Sequence, residues 1–168
     1  MVKGNKQLVK EAMRSEIFTV HPDDTLFHAA VLMASKEIGT LPVINEEKAL
    51  LGILTDRDIV TRCNAVGKDV KKAKVFECMS TNPIRVVPST SVSDAIMIMA
   101  EYGVKRLPVV EKDKLVGIIS VDDIAHVAEP PTMSCIDNGS YPVCTFVHLA
   151  KAFEKCSHNK EELTGTER

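Results

Sequence analysis

Apolar and polar positions along this chain fall into two kinds of pattern, and each kind occurs twice. Short aliphatic runs bounded by turn residues predict strands at Ile17 to Val20, Leu41 to Ile44 and Leu51 to Leu54. The same series returns at Ile84 to Val87, Leu107 to Val110 and Leu115 to Ile119. After the first run of each series the period changes to that of a helix. Leu26, Ala29, Ala30 and Met33 share one face in the first copy, and Val92, Ala95, Ile96 and Met99 share one in the second. Thr25 and Ser91 suit the N-caps of these helices, and Asp94 stands where a capping box places its acid. Pro22 and Pro88 end the first strand of each series, because proline cannot donate to a ladder. A last helix opens at Thr55 or Ser120. Each copy therefore reads β-α-β-β-α.

The match is a duplication. Met13 to Ile44 maps onto Met79 to Val110 with a constant spacing of 66 residues, and Gly52 to Ile59 maps onto Gly117 to Ile124 with a spacing of 65. The one-residue slip falls in the charged turns Asn45 to Lys48 and Glu111 to Lys114, where a hairpin tolerates a length change. Neither copy alone buries both faces of its sheet well, so the expectation is one module of mixed α/β (α+β) class built from two packed, pseudo-symmetric repeats. The first repeat spans 9–66, a polar, lysine-rich connector 67–74, and the second repeat 75–128. The tail, 129–168, matches neither. Glu129-Pro130-Pro131 stops the last helix, and Phe146, Leu149, Phe153 and Cys156 space out a short amphipathic helix from about Cys144 to Ser157.

The chemistry concentrates at the strand-to-helix junctions. In Gly52-Ile53-Leu54-Thr55-Asp56-Arg57-Asp58-Ile59 a hydroxyl ends the strand and a carboxylate follows one turn later, and Gly117 to Ile124 repeats this with Ser120 and Asp123. A hydroxyl beside unsatisfied N–H groups at a helix start favours an anion, and a carboxylate one turn on accepts from vicinal hydroxyls such as those of a ribose. The same Thr/Ser-x-x-Asp spacing also describes an ordinary capping box that needs no ligand. Arg57 adds a guanidinium to the first motif, where the second has Asp122. Lys105 and Arg106 precede Leu107-Pro108-Val109, where the first repeat has Gly39 and Thr40, so the second repeat carries the extra cations there. From Asp122 the expectation is that the second motif prefers the less charged ligand and the first binds phosphate more tightly.

These linked pieces resemble a tandem pair of CBS (cystathionine beta-synthase) domains, the arrangement called a Bateman module. The resemblance covers about Val9 to Ala128 and rests on Val9-x-x-x-Met13 and Val75-x-x-x-Met79, on Pro-x-x-Thr/Ser-Leu/Val-x-x-Ala, on Leu-Pro-Val, and on Gly-aliphatic-aliphatic-Thr/Ser-x-x-Asp, each present twice. It implies a regulatory sensor that binds AMP, ADP, ATP or S-adenosylmethionine in clefts between the repeats, and modules that pair into disc-shaped homodimers. In the family, the positions of Thr55 with Asp58 and Ser120 with Asp123 hold phosphate and ribose. The adenine ring lies against the positions of Thr19, Val20 and Ile38 in one repeat and Val86, Val87 and Val104 in the other. The partner that would read the ligand state is not identified by the resemblance. A ligand-independent structural or dimerisation module is the alternative.

Composition narrows the field. Lys and Arg number 21 against 23 Asp and Glu, a net charge of −2, so no bulk field draws the chain to nucleic acid or acidic membranes. No apolar run approaches the roughly 20 residues of a membrane span. The polar N-terminus through Glu16 lacks the apolar stretch of a signal peptide, and five cysteines do not pair off, which together predict a cytoplasmic protein with free thiols. No nucleophile elbow, phosphate loop or His-Glu-x-x-His helix is present, so no enzyme is expected and no cofactor. Cys135, Cys144, His148, Cys156 and His158 in the tail are metal-capable types, but their spacing lacks the Cys-x-x-Cys knuckles of structural zinc sites, and no metal site is expected.

Overall fold

A computed structural model describes residues 7–127 of the chain. The predicted tail helix and the tail cysteines and histidines lie outside these residues. The element order is α1 (Val9–Ala12), α2 (Leu26–Lys36), β1 (Thr40–Ile44), β2 (Leu50–Thr55) and α3 (Asp56–Asp58). From α3 the chain runs on through a π turn (Ile59–Cys63) and a 3-10 turn (Asn64–Val66). A second 3-10 turn (Val75–Glu77) leads to β3 (Ser80–Thr81), α4 (Val92–Tyr102), β4 (Arg106–Glu111), β5 (Lys114–Ser120) and α5 (Val121–Val127). The class is mixed α+β, with a three-stranded sheet ordered β1-β2-β3 and a two-stranded sheet of β4 and β5.

The long helices start and stop where the side chains dictate. Thr25 Oγ1 accepts the His28 N–H at 3.1 Å, and Ser91 Oγ accepts the Asp94 N–H at 3.1 Å, so each hydroxyl satisfies a donor that has no partner within the helix. Two further donors of α2, the N–H groups of Leu26 and Phe27, are taken by the carbonyls of Ala73 and Val70, which ties the connector to the helix start. Both helices end on a left-handed residue, Glu37 (φ 52°) and Gly103 (φ 65°).

The first run of each repeat departs from expectation. Ile17 to Val20 and Ile84 to Val87 form no strand, and each makes one parallel bridge, Val20 with Val43 and Val86 with Val109. The next backbone donors explain why the ladders stop. The His21 N–H turns to Asp24 Oδ2 at 2.8 Å, and the Val87 N–H turns to Thr90 Oγ1 at 3.2 Å.

The pairing that sequence order does not show is an exchange of leading segments. β3, which opens the second repeat, pairs antiparallel with β2 of the first through Gly52–Thr81 and Ile53–Ser80. The equivalent segment of the first repeat does the reverse: Arg14 pairs with Ile118 on β5. Gly52 and Gly117 are the close-approach points. A Cβ at Gly52 would stand 2.8 Å from both Met79 Sδ and Ser80 O, and one at Gly117 would meet Met13 Sδ and Arg14 O. Met13 and Met79, matched in the duplication, thus each cover the glycine of the other copy.

The chain accordingly forms two compact units that cut across the repeats. One is Glu16–Arg85 with the hairpin tip Val110–Val116, held through the Ala49–Lys114 bridge. Its core includes Val20, Leu26, Ala29, Leu41, Val43 and Leu54, together with Cys63 and Cys78. The other joins the described residues up to Ser15, Val86–Val109 and the described residues from Gly117. Its fully buried side chains include Val9, Met99, Leu107, Val109, Ile119 and Ile124.

Candidate functional site

Both junction motifs are closed capping boxes. Thr55, extended at φ −115°, leaves β2, and its Oγ1 accepts the Asp58 N–H at 3.1 Å. In return Asp58 Oδ2 accepts the Thr55 N–H at 2.9 Å and the Thr55 hydroxyl at 2.6 Å. In the other unit Ser120 Oγ accepts the Asp123 N–H at 3.2 Å, and Asp123 Oδ2 accepts both the N–H and the hydroxyl of Ser120. The helix-start backbone is held alike in both: the Asp56 N–H donates to Gly39 O and the Val121 N–H to Lys105 O. The second motif is the more enclosed, with Ser120 at 6% and Asp123 at 8% exposure.

Each motif carboxylate meets a guanidinium that the sequence reading passed over, and the two come from different places in the chain. Arg62 lies one turn beyond Asp58, its Nε 3.4 Å from Asp58 Oδ1, and its Nη1 donates to Cys78 O and to Ser80 Oγ. The π turn that carries Arg62 sends the Asn64 N–H to both Ile59 O and Val60 O. At the second motif Arg14 Nε donates to Asp123 Oδ1 at 2.5 Å from the bridged leading segment. By the internal match Arg14 stands where the other copy has Ser80, and Arg62 where it has Val127. Two substitutions in opposite directions thus give each aspartate one arginine. That reciprocal asymmetry was the available signal.

The other sequence-derived residues divide by unit. Thr19, Val20, Ile38, Thr55, Arg57 and Asp58 lie in one, and Val86, Val104, Lys105, Arg106, Ser120 and Asp123 in the other. Val20 and Val86 are buried core residues whose N–H groups donate to Pro42 O and Pro108 O, whereas Thr19, Ile38 and Val104 are half-buried. The Arg57 side chain is exposed, Lys105 is exposed and Arg106 half-exposed. A groove of about 520 Å³ opens beside the first motif, lined by Met33, Ile38, Ile59 and Val60 with the acidic Glu37 and Asp56. Among the described residues no group of His, Cys, Asp and Glu is placed to hold a metal, and no helix is long and apolar enough to cross a membrane.

The CBS domain family matches residues 9–64 and again 74–129. The chain belongs to the CBS domain family. It is a tandem CBS pair. It is 41% identical over 117 residues to the CBS domain-containing protein YhcV of Bacillus subtilis, covering 70% of this chain and 82% of that protein. A crystal structure of Hypoxic Response Protein I with two coordinated zinc ions superposes with a TM-score of 0.69 at 32% identity, over 73% of this chain and 100% of that one. The CBS domain pair of protein MJ0100, solved in complex with 5′-methylthioadenosine and S-adenosyl-L-methionine, superposes with a TM-score of 0.66 at 28% identity, over 72% of this chain and 98% of that one.

Proposed function

We propose that this CBS pair is a regulatory sensor module that binds an adenosine-containing ligand, AMP, ADP, ATP or S-adenosylmethionine, and passes its ligand state to a partner protein. The observation that carries the reading is the twin hydroxyl–carboxylate arrangement, Thr55 with Asp58 and Ser120 with Asp123, built at matched junctions. Complexes of the similar MJ0100 pair with two adenosine-containing ligands support it. In this reading Thr55 and Ser120 receive phosphate, Asp58 and Asp123 receive the ribose diol, and Arg57, Lys105 and Arg106 supply positive charge. Thr19, Val20 and Ile38 flank the base at one motif and Val86 and Val104 at the other. No catalytic step is involved.

The module acts as a homodimer. The outward face of α2, with Phe27 at 47% and Val31 at 49% exposure, and Val60 at 56% supply apolar surface for a second copy. Sedimentation equilibrium giving the mass of one protomer removes the dimer. The free, buried thiols of Cys63 and Cys78 suit a reducing, cytoplasmic setting.

Isothermal titration with AMP, ADP, ATP and S-adenosylmethionine tests the sensor reading. Heat and a raised melting temperature with at least one ligand are expected, and silence with all four sinks it. A second reading has its own observation: both boxes are satisfied without any ligand, as in a purely structural interaction module. That reading predicts the silent titration.

A further inference from the structure

The two motif carboxylates are not equally available to a ligand. At Asp58 the Oδ2 atom carries both bonds from Thr55, while Oδ1 faces Arg62 Nε at 3.4 Å, outside good hydrogen-bonding range. At Asp123 the Oδ2 atom carries both bonds from Ser120, and Oδ1 accepts Arg14 Nε at 2.5 Å. A ribose diol entering the second motif therefore competes with a charge-assisted bond for Oδ1, at a carboxylate only 8% exposed. Such bonds are roughly twice as strong as neutral ones, so a hydroxyl alone is a poor replacement and leaves a guanidinium without its anion.

The backbone of Arg14 cannot withdraw to solve this. Its N–H donates to Ile118 O at 2.9 Å, and its carbonyl accepts the Ile118 N–H at 3.0 Å. Val9 is fully buried at the start of the same segment. The side chain, 64% exposed, is free to swing while its root stays fixed. A ligand that brings its own anion gives the displaced guanidinium a new partner within that swing.

We propose that Arg14 sets ligand selectivity at the second motif, admitting a nucleotide whose phosphate takes over the guanidinium and rejecting the neutral nucleoside. The proposal rests on the reading of Ser120 and Asp123 as ligand groups. It adds to the expectation from Asp122, that AMP or S-adenosylmethionine suits this motif better than ATP: the Asp122 side chain is exposed, whereas Arg14 bonds Asp123 directly.

The test titrates adenosine and AMP into the full chain carrying Asp58→Ala, which silences the first motif, with and without a change at Arg14. Asp58→Ala alone is expected to bind AMP at least about tenfold more tightly than adenosine. Adding Arg14→Ala collapses that ratio, with AMP weakened and adenosine unchanged or improved, while Arg14→Lys retains most of it. Melting curves run alongside show that each variant is folded. An AMP-to-adenosine ratio that Arg14→Ala leaves unaltered, or equal loss of both ligands in the alanine and lysine variants, overturns the proposal. Binding by the wild-type chain but none by Asp58→Ala overturns it and leaves the first motif standing. No binding by the wild-type chain overturns both it and the sensor reading.

Discussion

Arg14 Nε donates to Asp123 Oδ1 across 109 residues of sequence, from the leading segment of the first repeat to the last helix of the second. The carboxylate is nearly buried and the arginine largely exposed, so solvent screens the attraction and a coupling of about 1 kcal/mol is expected rather than the full value of a buried pair. A double-mutant cycle with Arg14→Gln and Asp123→Asn, read by urea denaturation, measures it. The cycle of Arg62→Gln with Asp58→Asn, whose pair is looser at 3.4 Å, should give about 0.5 kcal/mol or less. Equal couplings would show that the two motifs are electrostatically alike.

The close approaches at Gly52 and Gly117 make a second prediction. Gly52→Ala places a methyl 2.8 Å from a backbone carbonyl and from the Met79 sulfur, and should cost about 1–3 kcal/mol by overpacking. The sulfur half of that clash is relieved by Met79→Ala, so the double variant should lose less than the sum of the two single losses. Strict additivity in denaturant melts would mean that Met79 does not press on Gly52.

Glu37 and Gly103 occupy matched positions in the duplication and both close a helix at positive φ, 52° and 65°. The left-handed region penalises a residue with a Cβ and spares glycine. Glu37→Gly should therefore stabilise the chain by about 0.5–1 kcal/mol, net of the added freedom of the unfolded chain. A lowered urea midpoint would show that contacts of the Glu37 side chain outweigh the backbone relief.

Cys78 supplies a pH dependence. Burial pushes its thiol up from the ordinary value, and the neighbouring Cys63 adds to this. A group whose folded pKa is raised contributes stability that is complete below its unfolded value, about 8.5 for a thiol, and that fades as pH rises through the folded value. Wild-type stability should thus decline above about pH 8.5 more steeply than that of Cys78→Ala. Reaction of Cys78 with iodoacetamide at neutral pH, followed by peptide mass, should need denaturant because little thiolate is exposed. Ready native-state alkylation would contradict the burial.

Periodicity made the long helices and both hairpins legible, because Leu26-x-x-Ala29 and Val92-x-x-Ala95 mark single buried faces and Leu-Pro-Val marks buried strands. It over-read Ile17 to Val20, where one bridge to Val43 stands in place of a strand, because apolar alternation reports burial and not ladder length. The exchange of Met13 and Met79 was invisible to local pattern, since each methionine matches its own repeat in sequence and packs on the glycine of the other. The hydroxyl–carboxylate pairs were legible because their partners are three residues apart. Arg14 was not, because its partner is 109 residues away and only the fold brings them together.

The capping geometry makes Thr55 and Asp58 both structural and, in the sensor reading, ligand-binding, and the two roles separate by substitution. Thr55→Ala removes the acceptor of the Asp58 N–H and should cost about 1 kcal/mol of stability. Thr55→Ser keeps that acceptor and should retain both stability and ligand affinity. Asp58→Asn preserves the size of the side chain and an oxygen for the Thr55 N–H, so its effect on melting should be modest. As a neutral amide it is a weaker acceptor for a ribose diol, so affinity for every adenosine ligand should fall by about tenfold at the first motif. Thr55→Ala, in contrast, should weaken AMP more than adenosine, because the hydroxyl serves phosphate. Titrations of the three variants with AMP and adenosine, alongside urea melts, decide between the roles. Losses of affinity that only track losses of stability would leave the first motif as a helix cap and nothing more.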